Sequence, residues 1–160
     1  MVITYIPPKI KASTREIAIQ KGKYIVGYMA HYFHEDVQTL KEYPVNLEVQ
    51  SEETNNTYII QQDIETKNKW TIFQAGKQIG EIAANRTKKF KLEASIINKE
   101  VIKVEAGFKG TGRINKNGVT AVKGLFQHKI KIDTIEELRE IDSALLTSIV
   151  HVFWCSHTAK

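Results

Sequence analysis

Cysteine is almost missing from this chain. A single one, Cys155, stands among 160 residues, so no intrachain disulfide can staple the fold. A lone thiol fits a reducing compartment, and a cytoplasmic location is the expectation. Long apolar runs are missing too. The longest, Ala144 to Cys155, spans twelve residues and contains Thr147, Ser148 and His151, whereas a helix needs about twenty apolar residues to cross a bilayer. No basic segment followed by an apolar one opens the sequence; Met1 to Ile6 runs straight into Pro7-Pro8, which argues against a secretory leader. Neither apolar content (42%) nor charge (26%) departs far enough from globular averages to suggest disorder. These absences leave one soluble domain over residues 1–160, long enough to bury about two-thirds of its unfolded surface.

The net charge of +5 is unevenly spread. Residues 67–131 hold fifteen Lys/Arg against four Asp/Glu, whereas residues 12–66 hold four against nine. Such polarity points one face toward an anionic partner, unless it is only a set of solvated strand faces.

Period-two alternation dominates the chain. Phe90, Leu92, Ala94 and Ile96 fall on one face between Lys89, Lys91, Glu93 and Ser95, and Ile102, Val104 and Ala106 alternate with Lys103 and Glu105. Asn98-Lys99-Glu100 between them reads as a hairpin turn. Strands with one wet and one buried face belong to antiparallel sheets. Three segments repeat one hairpin pattern, with Gly22, Gly76 and Gly118 at the turns and Gly27, Gly80 and Ala121 a few residues on. The turn glycines are expected to take positive φ, and the later small residues to permit close packing or a bulge. About twelve short strands result, from Ile3–Ile6 to Lys129–Ile132. His31 to Pro44 has no clean period and reads as a loop or short helix.

The last element differs. Asp133 or Thr134 is expected to cap a helix from Ile135 to Phe153, with Glu136 and Glu137 in its first turn. From Ala144 onward apolar residues cover almost the whole circumference, so this helix must be enclosed. The fold class that follows is mainly β: a closed antiparallel barrel of about twelve strands around an apolar C-terminal helix.

That architecture, with hairpins such as Trp70-Thr71-Ile72 followed by Gln78-Ile79-Gly80-Glu81-Ile82, resembles the tubby C-terminal-like superfamily. The superfamily includes LURP-one-related and phospholipid scramblase-like domains, and the small bacterial tubby-like proteins resemble this chain most. The resemblance covers roughly Glu16 to Phe153 and implies a twelve-stranded barrel around the final helix. Animal tubby proteins bind phosphoinositide headgroups through basic side chains, so an anionic lipid surface is a partner that the resemblance implies. No individual site residue carries over, and the cysteine clusters and metal-binding segments of the scramblase-like members are missing here.

Candidate chemistry is sparse. His31, His34, Glu35 and Asp36 sit within six residues, but no further ligand cluster accompanies them, so no metal and no cofactor is expected. Cys155 lies one helical turn after His151, the start of a thiol–imidazole pair, yet a buried inert thiol is the simpler reading. Gly107 to Arg113 holds three glycines but precedes a strand, so it reads as a connection rather than a phosphate cradle. The densest basic cluster supplies the candidate anion-binding residues Arg86, Lys88, Lys89, Lys91 and Lys103; by alternation Lys129 and Lys131 also point outward. The expectation is a non-enzymatic barrel that binds an anionic membrane surface or a protein partner. Nucleic acid would use the same charge, and a small-ligand carrier or enzyme is disfavoured because the helix fills the lumen.

Overall fold

A computed structural model describes residues 1–33, 44–86, 89–124, 128–134, 138 and 140–158. Twelve strands follow in chain order: β1 (Val2–Tyr5), β2 (Ile17–Lys21), β3 (Tyr24–His31), β4 (Leu47–Ser51), β5 (Thr57–Gln62), β6 (Lys69–Gln74), β7 (Lys77–Asn85), β8 (Lys91–Ile96), β9 (Ile102–Ala106), β10 (Thr111–Ile114), β11 (Gly118–Lys123) and β12 (Lys129–Asp133). Each pairs antiparallel with its sequence neighbours, and β1 pairs with β12 to close the barrel. Closure removes the edge strands that would otherwise offer unpaired backbone to other chains.

The single helix, α1 (Ser143–Thr158), runs through the lumen. Ala144, Leu145, Leu146, Ile149, Val150, Val152, Phe153 and Trp154 are all buried in one core with the inward strand residues, among them Ile3, Leu47, Ile60, Ile72, Leu92 and Val104. The helix's polar residues are satisfied inside. Thr147 and Ser148 hydroxyls donate to the carbonyls of Ser143 and Leu145, and Trp154 Nε1 donates to Thr120 Oγ1 at 3.0 Å.

The helix begins later than the sequence suggests. Asp133 belongs to β12, where it faces Val2 and Val119, and Glu140 to Asp142 are not helical. The cap is Asp142: its carbonyl accepts the Leu146 amide at 2.9 Å, and its carboxylate accepts the Ala144 amide at 3.3 Å. No acid lies in the first turn of α1; Glu136 and Glu137 fall outside the described residues. The reason is topological, because pairing with β1 and β11 holds Asp133 in the barrel wall, where it cannot cap a helix.

The repeated hairpins serve two geometries. Gly22 and Gly76 take positive φ at their turns, Gly76 directly after Ala75 in the same conformation, as a two-residue hairpin turn requires. At the third hairpin the left-handed residue is Asn115, not Gly118, which is needed for space because a Cβ there would stand 2.9 Å from Ile114 Cβ. Gly27 and Gly80 sit at register shifts, opposite Ile19 and Ile72. No shift accompanies Ala121. A Cβ on Gly27 would come 2.5 Å from Gln50 O and 2.8 Å from Ala144 Cβ, so this glycine sets how closely β3 approaches both β4 and α1. Gly27→Ala is expected to destabilise by about 1–3 kcal/mol, the range for overpacking, read as a lower urea midpoint. A wild-type midpoint would show that the helix shifts freely in the barrel.

Candidate functional site

The antiparallel register arranges the basic strands. Outward residues on β8 and β9 pair as Lys91 with Glu105 and Glu93 with Lys103. Their ends meet in ion pairs of 3.0 Å (Lys91 Nζ to Glu105) and 3.8 Å (Lys103 Nζ to Glu93), and Lys89 Nζ lies 3.9 Å from Glu105. The hydrogen bond from Lys91 holds the Glu105 carboxyl below the usual range. Arg86 places its guanidinium 4.9 Å from the centre of the Phe90 ring and donates from Nε to Asn68 Oδ1. Lys88 lies outside the described residues. The predicted residues Lys89, Lys91 and Lys103 therefore share one surface, but each already faces a carboxylate. Such exposed pairs contribute about 0–1 kcal/mol apiece, and they cancel much of the field.

Positive charge without such partners lies further around the wall. Lys123 on β11 stands directly opposite Lys129 on β12. Among the described residues no acid lies within ion-pair distance of Lys123, Lys129 or Lys131. Like charges directly opposed across strands repel, so this pair costs stability unless an anion joins it. Register also places the connections that follow β1, β3, β5, β7, β9 and β11 at the same end of the barrel, where the C-terminus of α1 emerges. Lys123 and Lys129 flank the β11–β12 connection there. The next connection, between β9 and β10, carries Phe108 at 81% exposure beside Lys109, and the β5–β6 connection carries Ile64 at 83%. The β1–β2 connection adds exposed Ile10 between Lys9 and Lys11. Alternation does not reveal this apolar, basic rim, because it lies in the connections.

A second constellation is internal. Tyr5 at the end of β1, His31 at the end of β3, and His151 and Cys155 of α1 meet in the core. Tyr5 Oη is 3.0 Å from His151 Nδ1, and His31 Nε2 is 2.8 Å from His151 Nε2. Cys155 Sγ lies 3.4 Å from His151 Nε2. Burial pushes the His151 pKa down to about 3, with the neighbouring His31 adding to the effect, and burial also lowers His31. Burial pushes the Cys155 thiol up to about 12. Both imidazoles are thus neutral and the thiol is protonated near neutral pH, with one N–H shared between the two rings. The His151–Cys155 turn expected from their spacing is present, but without the ion pair that a cysteine nucleophile requires. His31 is a strand residue rather than part of a short helix, and His34, Glu35 and Asp36 lie outside the described residues.

At the opposite end, Asp142 accepts hydrogen bonds from Ser51, Thr54 and Tyr58 hydroxyls at 2.6–2.9 Å. It forms one wall of an open cleft of about 610 Å³ that Lys21 and Glu53 also line. These groups are satisfied by one another, and their task is to anchor the start of α1 to the β4–β5 turn.

The closed twelve-stranded meander with a buried C-terminal helix defines a class of helix-filled β-barrels. Residues 3–156 match the family described as the Tubby C-terminal like domain. The chain belongs to that family, over nearly its whole length. Comparison with curated proteins and with solved structures gives no significant match. Among the described residues, no helix is long and apolar enough to cross a membrane.

Proposed function

We propose that this barrel is a non-enzymatic module that docks onto anionic membrane surfaces with the rim where α1 ends. The observation that carries the reading is the opposed pair Lys123–Lys129, flanked by Lys131 and next to the connection bearing exposed Phe108. Basic side chains near an anionic bilayer contribute about 1 kcal/mol each, and an aromatic tip can enter the headgroup region. The candidates Lys89, Lys91 and Lys103 contribute less in this reading, because Glu105 and Glu93 already hold them. Arg86 belongs to the neighbouring β7–β8 connection and extends the same rim. The protonated thiol of Cys155 beside a neutral His151 supports a binding role over a catalytic one. A cytoplasmic location, facing the anionic leaflet, is part of the proposal.

Co-sedimentation with phosphatidylserine vesicles tests it. Binding is expected at low salt and should weaken at physiological salt as charges are screened. Reversing Lys123 and Lys129 together to Glu should weaken it by at least about tenfold, at roughly 1 kcal/mol for each charge lost. Phe108→Asp should weaken it without altering the salt dependence. Equal binding by the double reversal overturns the proposal, as does retention on duplex DNA but not on vesicles.

A further inference from the structure

The internal cluster has a composition that packing alone does not require. Two imidazoles and one thiol present ligand atoms that all lie within 4.8 Å of one another. They come from β3 and from two positions one turn apart on α1. Metal–nitrogen and metal–sulfur bonds of about 2.0 and 2.3 Å place ligand atoms about 3.5–3.7 Å apart around a three-coordinate ion. Cys155 Sγ lies 3.4 Å from His151 Nε2 and 3.9 Å from Nδ1, so the thiol has to swing toward the Nε2 lone pair, while the 2.8 Å hydrogen bond between the imidazoles opens by under about 1 Å. Tyr5 Oη meets His151 at Nδ1, the nitrogen that His31 does not contact. With Nδ1–H donating to that oxygen, the Nε2 lone pair is free for a metal, the outer support that ligating histidines ordinarily have.

We propose that His31 Nε2, His151 Nε2 and Cys155 Sγ form a buried binding site for one monovalent soft metal ion, of which Cu⁺ is the biological example. Ligand type and charge both select it. A thiolate with two imidazoles is a soft set that Cu⁺ accepts in three-coordinate form, whereas structural Zn²⁺ takes four ligands. On binding, the thiol proton leaves to solvent and an S–Cu bond replaces S–H, with no change in oxidation state. The resulting centre, one thiolate with one monovalent cation and two neutral rings, carries no net charge. The same three ligands around a divalent ion would carry one net positive charge.

The experiment uses the whole chain, reduced and stripped with a chelator, then titrated without oxygen with Cu⁺ held by a competing chromophoric chelator. A parallel titration uses Zn²⁺. One tight equivalent of Cu⁺ is expected, with a thiolate-to-copper absorption band and X-ray absorption showing one sulfur and two nitrogen ligands. Cys155→Ala, a small residue for a small half-buried one, should lose the band and the tight equivalent while keeping the wild-type circular dichroism. Tyr5→Phe should keep the band but bind about 10–100-fold more weakly. The absence of a tight equivalent, a nitrogen- and oxygen-only coordination shell, or unchanged uptake by Cys155→Ala overturns the site. If Cys155→Ala fails to fold, the ligand shell of the wild-type protein decides. Tighter binding of Zn²⁺ than of Cu⁺ overturns the choice of a monovalent ion.

Discussion

Phe153→Ala is expected to lower stability by about 3–5 kcal/mol and Ile149→Ala by about 2–5 kcal/mol, which is much of the 5–15 kcal/mol available to a typical domain. Both side chains are fully buried. Phe153 packs among Phe90 at 5.4 Å, Trp154 at 5.2 Å and His157 at 5.6 Å between ring centres, and one of its carbons would stand 3.2 Å from a Cβ on Gly112. The barrel wall is a closed hydrogen-bonded ladder and cannot collapse inward to refill the space. The cavity term should therefore lie toward the upper end of its range. Leu145→Ala, 3% exposed, should behave similarly. The check is the urea midpoint, with the slope of the transition held under watch for loss of two-state behaviour. Midpoints near the wild-type value for both Phe153→Ala and Ile149→Ala would mean that the helix does not support the barrel.

Acid should weaken the metal-free protein through its buried histidines. His151 falls to about 3 in the fold from an ordinary 6.5, and His31 is also lowered. Between pH 6.5 and about 3 the unfolded chain therefore binds protons that the folded one refuses, so stability is complete above 6.5 and is lost as pH falls. The slope reaches about 1.4 kcal/mol per pH unit for each histidine held neutral. The groups facing His151 are Tyr5 from β1, His31 from β3 and Cys155 from its own helix, and none carries a negative charge in this range to stabilise an imidazolium. Glu105 and Asp63, whose carboxyls are held below their ordinary values of 4.5 and 3.8, enter only at lower pH. Urea midpoints at pH 7 and at about pH 5, with chelator present, should therefore separate the histidines. His151→Gln should flatten the decline even though its midpoint at pH 7 is lower. An unchanged decline would mean that the buried rings take up protons as readily as the unfolded chain.

The strands and the enclosure of the helix were legible because each depends on local pattern. Phe90, Leu92 and Ala94 point inward as their alternation requires, and the turn at Asn98 joins β8 to β9. The helix start was not legible. Asp133 and Asp142 are equally good local caps, and only the pairing of Asp133 with β1 and β11 removes it from contention. Lys89, Lys91 and Lys103 share one outer surface, but alternation is blind to what stands across the strand. The register opposes Lys91 to Glu105 and Glu93 to Lys103, which turns a basic face into paired charges.

The buried cluster shows the limit most clearly. The spacing of His151 and Cys155 places them one turn apart, yet His31 is 120 positions from His151 and Tyr5 is 146. By itself the sequence determined a mainly β chain with glycine-dependent hairpins and one helix that had to be enclosed. Those properties follow from side-chain period, from φ preferences and from apolar content, which are set within a few residues. Tertiary structure alone decided where α1 begins, which lysines keep a charge unopposed, and that Tyr5, His31, His151 and Cys155 meet in one cluster. Those depend on barrel closure and strand register, which join residues that no local pattern relates.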